Sequence, residues 1–258
     1  MHWSESRHIG LNPGTPLQVS SNGKGFRLGF LIRDRDDRVW GLSARHVFDD
    51  MEFDTISDKN GTRIAKYHER DQVDKIDSIS PHLGRFQIRL RHLQPENLSF
   101  AGVWPRTAID PERSLGMRVW STDDEFSPGG EVIEVDSVVR VKFADAEKAQ
   151  IIKGLMVVHF ADDAFLEPGF AGTPMVTETG EALGIAFAGV RTQNGAKILL
   201  CPISQFLRQS GCHLWVPPGA HWSDIDRKLE RFIGVVQRNP GPNLGPPPRL
   251  RNRDRSSP

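Results

Sequence analysis

The chain has 258 residues, 38% of them hydrophobic, which is enough apolar material for one large all-β domain or two smaller ones. Lysine plus arginine and aspartate plus glutamate number 33 each, so no net field attracts the chain to nucleic acid or to an anionic membrane. Composition therefore argues against both of these partners.

The N-terminal segment, MHWSESRHIGLNPG, lacks the basic and then apolar regions of a secretory signal. No apolar run approaches the roughly 20 residues that are needed to cross a bilayer. The two cysteines, Cys201 and Cys212, lie in unlike contexts and match no metal-ligand spacing. These features predict a cytoplasmic chain without a metal or a cofactor, and they leave a single disulfide between the two cysteines open.

Short strand patterns follow one another along most of the chain. GFRLGFLIRD alternates bulky with small or polar residues, DRDD turns the chain, and RVWGLSARHVF predicts a second strand that runs into a short helical turn. Clusters of Gly, Asn, Asp and Pro separate the later stretches, which are MEFDTIS, GTRIAKY, GRFQIRL, SLGMRVWS, EVIEVDSVVRVKF, GLMVVHF, PMVTETGEALGIAFAGV and AKILLCPI. This spacing is typical of a β-barrel or β-sandwich protein.

Helical patterns are found near the C-terminus, in ISQFLRQ and SDIDRKLERFIGVVQR. The second begins with Ser223, and Asp226 follows three residues later as a capping pair. From Asn239 the composition changes to Pro, Gly and Arg, which cannot bury a core. Residues 239–258 are therefore expected to form a disordered tail.

Two of these stretches resemble parts of the chymotrypsin-like (trypsin-like) serine proteases. GKGFRLGFLIRDRDDRVWGLSARHVF resembles the segment that presents the catalytic histidine, and His46 takes that position. PGFAGTPMVTETGEALGIAFAG resembles the nucleophile loop, of pattern Gly-x-Ser-Gly-x-Pro, and the pocket strand that follows it. Ala171 stands where this family has its nucleophilic serine. The resemblance covers roughly residues 20–207.

The resemblance implies an all-β fold of two consecutive antiparallel β-barrels, with the active site in the cleft between them. The expected boundaries are 14–105 for the N-terminal barrel, 106–207 for the C-terminal barrel, 208–238 for a helical extension and 239–258 for the tail. A protein or peptide substrate is the implied partner.

A hydroxyl nucleophile needs an imidazole to accept its proton, a group that orients the imidazole, and N–H donors for the developing oxyanion. By resemblance, the N–H groups of Gly169 and Ala171 form that oxyanion hole. A methyl group cannot attack a carbonyl, so the chain as written is expected to lack covalent catalysis.

The resemblance does not extend to the acid that orients the imidazole. The family usually has an aspartate at the start of the strand that matches GRFQIRL, and Gly84 occupies that position here. Asp77 is the first substitute candidate and Asp74 the second, if their loop folds back. His68 and His82 have no nearby cysteine or carboxylate pattern, so they are interpreted as surface histidines and not as a metal site.

The resemblance also implies a substrate pocket. Its wall is formed by a run of four residues without an acidic side chain, namely Ala186, Phe187, Ala188 and Gly189. Asp162, Asp163 and Glu167 precede the nucleophile loop, where they either accept a basic side chain or lie on a solvated loop.

Two functions remain open on the sequence. In the first, the chain is a serine endopeptidase in which Ala171 is an engineered replacement of the serine. In the second, it is a natural pseudoprotease that binds a peptide or a partner, which Gly84 favours because a second catalytic position is then empty. Similar modules belong to larger bacterial regulatory or defence proteins, so an activating regulatory protein or a further domain is an expected partner.

Overall fold

The fold is seen in a computed structural model that describes residues 10–48, 52–72, 82–94, 97–98, 103–122, 129–142, 149–161, 166 and 169–218. The predicted helix of residues 223–238 and the predicted tail of residues 239–258 lie outside this part of the chain. Both remain predictions. Within the described residues, no helix has the length and apolar character needed to cross a bilayer.

The first unit is an eight-stranded antiparallel sheet. Its strands are β1 Pro16–Val19, β2 Gly25–Arg27, β3 Leu31–Arg33, β4 Val39–Ala44, β5 Phe53–Asp58, β6 Arg63–His68, β7 Leu83–Ile88 and β14 His213–Leu214. Their order across the sheet is β14, β3, β4, β7, β6, β5, β1, β2. Short 3-10 helices follow three of these strands, at Arg45–Phe48, Glu69–Asp71 and Leu90–Leu93.

The predicted strand GFRLGFLIRD is two strands, because residues 28–30 pass from one end of the sheet to the other. Leu28 N–H donates to the carbonyl of Thr15 (2.9 Å), which continues the pairing of β2 with β1. Gly29 N–H then donates to the carbonyl of Leu42 (2.7 Å), which begins the pairing of β3 with β4. Two strands that follow each other directly in the chain, β2 and β3, therefore lie near opposite ends of the sheet, and the sheet is curled.

The second unit is a closed six-stranded barrel. Its strands are β8 Arg118–Ser121, β9 Gly130–Val141, β10 Gln150–Phe160, β11 Pro174–Thr177, β12 Ala182–Thr192 and β13 Gly195–Pro202. Their order around the barrel is β10, β13, β12, β11, β8, β9. Two α-helices flank it, α1 Pro111–Ser114 and α2 Ile203–Ser210. The all-β architecture with few helices is confirmed, with one closed barrel and one curled sheet.

The two sheets pack against each other through small residues. A Cβ on Gly29 of the first sheet would lie 2.6 Å from Cδ1 of Ile185 in β12. Ile185 and Phe187 of the barrel belong to the same buried cluster as Phe26 and Phe48 of the first sheet. This contact brings the start of β12 against the first sheet, where the predicted site lies.

Both cysteines are buried and free. Cys201 lies in β13, where burial raises the pKa of its thiol. Cys212 follows α2. The disulfide that the sequence left open is therefore not formed.

After α2 the chain returns to the first sheet. Gly211 ends the helix in the left-handed region (φ 66°), and His213 and Leu214 pair with β3. Trp215 N–H then donates to the carbonyl of Leu31 (2.8 Å), and its buried ring packs edge-on against Trp104 at 6.2 Å between centroids. The segment closes over the core of the first sheet.

We expect Trp215→Ala to lower the free energy of unfolding by about 3 kcal/mol, because it removes a buried aromatic side chain. His213→Ala is the matched control, since His213 is exposed two residues earlier in β14, and it should change stability by less than about 0.5 kcal/mol. Urea denaturation of the two variants measures the difference. Equal losses would show that the segment does not hold the sheet through Trp215.

Candidate active site

The site begins with the tight 169–174 loop that leads into β11. Gly169 and Gly172 have φ of +88° and +94°, backbone conformations that residues with a side chain rarely adopt. A Cβ on Gly172 would also overlap the carbonyl oxygen of Arg27 and the Oγ of Ser43. Only glycine fits at residue 172, and the loop therefore lies directly against β2 and β4 of the first sheet.

Backbone hydrogen bonds hold this loop on both sides. Arg27 N–H donates to the carbonyl of Ala171 (2.9 Å), which ties the loop to the first sheet. Gly172 N–H donates to the carbonyl of Ala186, and Ala186 N–H donates to the carbonyl of Thr173, each at 2.8 Å, which ties it to β12. Residue 171 is consequently fixed between the two sheets.

The N–H groups of Gly169 and Ala171 are the donors that the resemblance assigns to an oxyanion hole. Among the described residues, no hydrogen bond uses either N–H group as its donor. Ala171 itself is partly buried and packs against the core of the first sheet. The arrangement leaves two backbone donors beside a side chain that consists of one methyl group.

His46 lies in the 3-10 helix that directly follows β4. All six residues of β4 are buried, and Ser43 near its end contacts Gly172. The 3-10 helix that contains His46 therefore begins close to the 169–174 loop. The imidazole packs edge-on against Phe187, with 5.0 Å between ring centroids. Phe187 follows Ala186, which forms hydrogen bonds with Gly172 and Thr173, so the same short part of β12 contacts both His46 and the 169–174 loop.

The surroundings of His46 favour its neutral form. Burial, and to a smaller extent the nearby Lys24 and His82, lower the pKa of His46 from its ordinary 6.5 to about 4. Lys24 also donates from Nζ to the backbone carbonyl of His46 (3.1 Å). At neutral pH the imidazole is therefore uncharged and able to accept a proton.

Gly84, where the family usually has its aspartate, pairs with Ser43 in β4 and is buried. A Cβ there would lie 2.8 Å from Cδ2 of Phe48 and 3.3 Å from Cα of Arg45. The Phe48 ring fills the space that a side chain would need. Asp74 and Asp77, the substitute candidates, lie outside the described residues and remain predictions.

His82 is not the ordinary surface histidine that the sequence suggested. It is partly buried, and its ring centroid lies 5.2 Å from that of Phe187, so two imidazoles contact one phenyl ring. Burial and then Arg45 lower the pKa of His82. The backbone N–H of Arg45 donates to the carbonyl of His82 (2.7 Å), which places His82 beside the His46 turn. This position follows from the register of β4 with β7, which the sequence alone does not reveal.

The four predicted pocket residues lie along β12, with Ala186 and Phe187 buried, Ala188 partly buried and Gly189 exposed. A Cβ on Gly189 would overlap the side chain of Leu166. This part of the wall is apolar. Asp162, Asp163 and Glu167 lie outside the described residues, so their proposed contact with a basic side chain remains untested.

No group of three or more His, Cys, Asp or Glu side chains in the described part of the chain is arranged to bind a metal ion. The geometry instead combines a neutral imidazole, a constrained loop and two backbone donors.

No protein-family model and no curated protein matches the chain. Solved structures do match it. An alpha-lytic protease homolog, N4, is 15% identical with a TM-score of 0.58 over 79% of this chain and 98% of its own. Protease A of Thermobifida fusca is 16% identical with a TM-score of 0.53 over 78% and 96%. The chymotrypsin of Cellulomonas bogoriensis is 13% identical with a TM-score of 0.53 over 79% and 97%.

These likenesses establish the fold. The chain has the fold of the chymotrypsin-like serine proteases, which the two sequence stretches around His46 and Ala171 predicted.

We expect Gly172→Ala to lower the free energy of unfolding by about 3 kcal/mol or more, because it combines a strained φ with overlap on a backbone carbonyl. Gly61→Ala is the matched control, since Gly61 has φ +78° but open space around its Cβ position. The control should cost about 1 kcal/mol, from backbone strain alone. Urea denaturation of both variants tests this, and equal costs would mean that the loop is not pressed onto the first sheet.

Stability should fall as the pH drops from 6.5 towards 4. The folded-state pKa of His46 is depressed to about 4, so in this window the unfolded chain binds the extra proton and is favoured. The loss attributable to His46 should be about 2 kcal/mol at pH 4.5. His82 acts in the same direction, so the measurement is the difference in urea stability between the unaltered chain and His46→Gln at pH 7 and 4.5. Parallel losses in the two proteins would contradict the burial of His46.

Proposed function

We propose that this chain is a serine endopeptidase domain in which Ala171 replaces the nucleophile, so that the chain as it stands binds a peptide or protein substrate without cleaving it. The observation that carries the proposal is the constrained 169–174 loop, with Gly172 at φ +94° and the Ala171 carbonyl held by Arg27 N–H. An ordinary connecting turn tolerates several residue types at each position, whereas residue 172 accepts only glycine.

Each remaining position has a role in this function. His46, neutral at physiological pH, would accept the proton of a hydroxyl at residue 171. The N–H groups of Gly169 and Ala171 would donate to the oxyanion of the tetrahedral intermediate. Ala186 to Gly189 would form the pocket wall, and the apolar character of the described wall favours an uncharged side chain there. An activating regulatory protein or a further domain remains part of the proposal.

A natural pseudoprotease is the second candidate, and the packing at Gly84 favours it. Phe48 occupies the space that a side chain at residue 84 would need, so the orienting aspartate cannot be restored at this position by a single substitution. An engineered change of residue 171 alone would not account for that packing. In this alternative the cleft keeps its shape in order to bind a peptide or a partner.

We expect Ala171→Ser to restore peptide hydrolysis, because it adds one oxygen at the fixed position that this proposal assigns to the nucleophile. His46→Ala in the same chain should abolish it. A site without an orienting carboxylate should retain turnover about 10⁴ below that of a complete triad. The assay is mass-spectrometric detection of cleaved bonds in a peptide library, with and without cell extract that supplies an activator.

The matched control is Ala188→Ser, which adds the same oxygen to the pocket wall and should give no hydrolysis. Combining Asp77→Asn with Ala171→Ser tests whether Asp77 is the acid that orients His46. Loss of activity identifies Asp77 as the orienting group, and unchanged activity excludes it. No cleavage by Ala171→Ser under any condition would remove the endopeptidase proposal and leave the pseudoprotease.

A further inference from the structure

Phe187 lies in a β-bulge of β12. In the pairing with β13, Ala186 lies opposite Leu200. Ala188 lies opposite Leu199, which directly precedes Leu200, so Phe187 is an extra residue in the strand. Bulges interrupt the alternation of a strand and change the direction of a side chain. Ala186 packs in the core of the barrel, whereas Phe187 and Ala188 both pack against the core of the first sheet.

The phenyl ring of Phe187 contacts the two imidazoles of the candidate site. Its centroid lies 5.0 Å from that of His46, with 85° between the ring planes, and 5.2 Å from that of His82, with 59°. His46 follows β4 and His82 precedes β7, so both imidazoles belong to the first sheet, whereas Phe187 belongs to the barrel. Only 2% of Phe187 is exposed. One buried ring of the barrel therefore fills space beside both imidazoles.

A phenyl ring in this place restricts an imidazole in two ways. It is flat and rigid, and aromatic pairs prefer edge-to-face or offset arrangements at centroid distances of roughly 4.5–7 Å, a range that includes both contacts. The ring also takes the place of water. Burial is the largest cause of the lowered pKa of His46, ahead of Lys24 and His82. The Phe187 ring contributes to that burial because it contacts the imidazole directly.

We propose that Phe187 is a positioning residue for His46, and that its ring fixes the plane of the imidazole and keeps water from it. The role in catalysis rests on the proposed function, in which His46 accepts the proton of a nucleophile at residue 171. The backbone of Phe187 stays part of the proposed pocket wall, and its side chain acts on His46. A loosely held imidazole spends less time in the geometry for proton transfer, so loss of the ring should lower turnover more than substrate binding.

The test compares Phe187→Leu with the matched control Phe206→Leu. Both variants shorten a buried Phe side chain of the same core cluster by the same change. Phe206 lies in α2, and among the described residues its ring contacts neither imidazole. Phe187→Met keeps most of the apolar volume without a rigid ring, and it takes the place of Phe187→Leu if that variant does not fold.

NMR follows the Cε1–H resonance of His46 between about pH 4 and pH 8, assigned with His46→Gln. We expect Phe187→Leu to raise the pKa of His46 above 4, because water reaches the imidazole, so that its protonated fraction at pH 5 rises about threefold. Phe206→Leu should leave the titration unchanged. Lys24 and His82, which also lower this pKa, and Arg45, which acts on His82, are the same in every variant. An unchanged pKa in Phe187→Leu, or equal rises in the two variants, would overturn the proposal.

Turnover by the same variants in the Ala171→Ser chain is the second readout. We expect Phe187→Leu to lower kcat about tenfold and to change KM less than about twofold, because the imidazole is misaligned while the substrate contacts remain. Phe206→Leu should change both constants less than about twofold. An unchanged kcat in Phe187→Leu would overturn this proposal and leave the proposed function standing. Absence of cleavage by Ala171→Ser would remove the proposed function, and the NMR titration would still decide whether Phe187 holds the imidazole.

Discussion

The contact between Gly172 and the first sheet is the constraint on which the candidate site depends. Residue 172 fits against the carbonyl of Arg27 and against Ser43 because glycine has no side chain. The N–H group of Arg27 also donates to the carbonyl of Ala171. Ser43 lies in β4, which ends where the His46 turn begins. One close approach therefore sets the position of residue 171 relative to His46, and neither sheet alone could do so.

The same packing sets the electrostatics of His46. Its turn lies between the first sheet and β12, so the imidazole contacts Phe187 and loses much of its hydration. Desolvation disfavours the charged form, and Lys24 and His82 act in the same direction. The result suits a proton acceptor at neutral pH but opposes the imidazolium that forms when a proton is taken up. An acyl-transfer mechanism would thus need a negative charge near His46 during the reaction.

The sequence predicted those parts of the fold whose signals are local. Alternation in GTRIAKY and AKILLCPI corresponds to β6 and β13, and ISQFLRQ corresponds to α2. The break at residues 28–30 was missed because both halves keep the same alternation and only the sheet's curvature separates them. Strand β14 has two residues and carries no pattern of its own. At the site, His46 and Ala171 were found from motifs, whereas the packing of His82 and Phe48 depends on a register between distant strands.

Gly84 and Ala171 are different kinds of departure from the pattern of a catalytic site. Under the proposed function, the group that is missing at residue 171 is a side-chain oxygen, and hydrogen bonds to both sheets hold the backbone around this residue. At residue 84 the space itself is filled by Phe48, so the packing of the core has adjusted to the absence of a side chain. A single substitution can reverse the first change. The change at residue 84 involves the aromatic core, where the Phe48 ring stacks on Tyr67 with 4.5 Å between ring centroids and packs against Phe26 at 5.3 Å. A carboxylate at residue 84 would therefore require these rings to move together. Any negative charge that supports His46 must therefore come from another part of the chain or from a ligand.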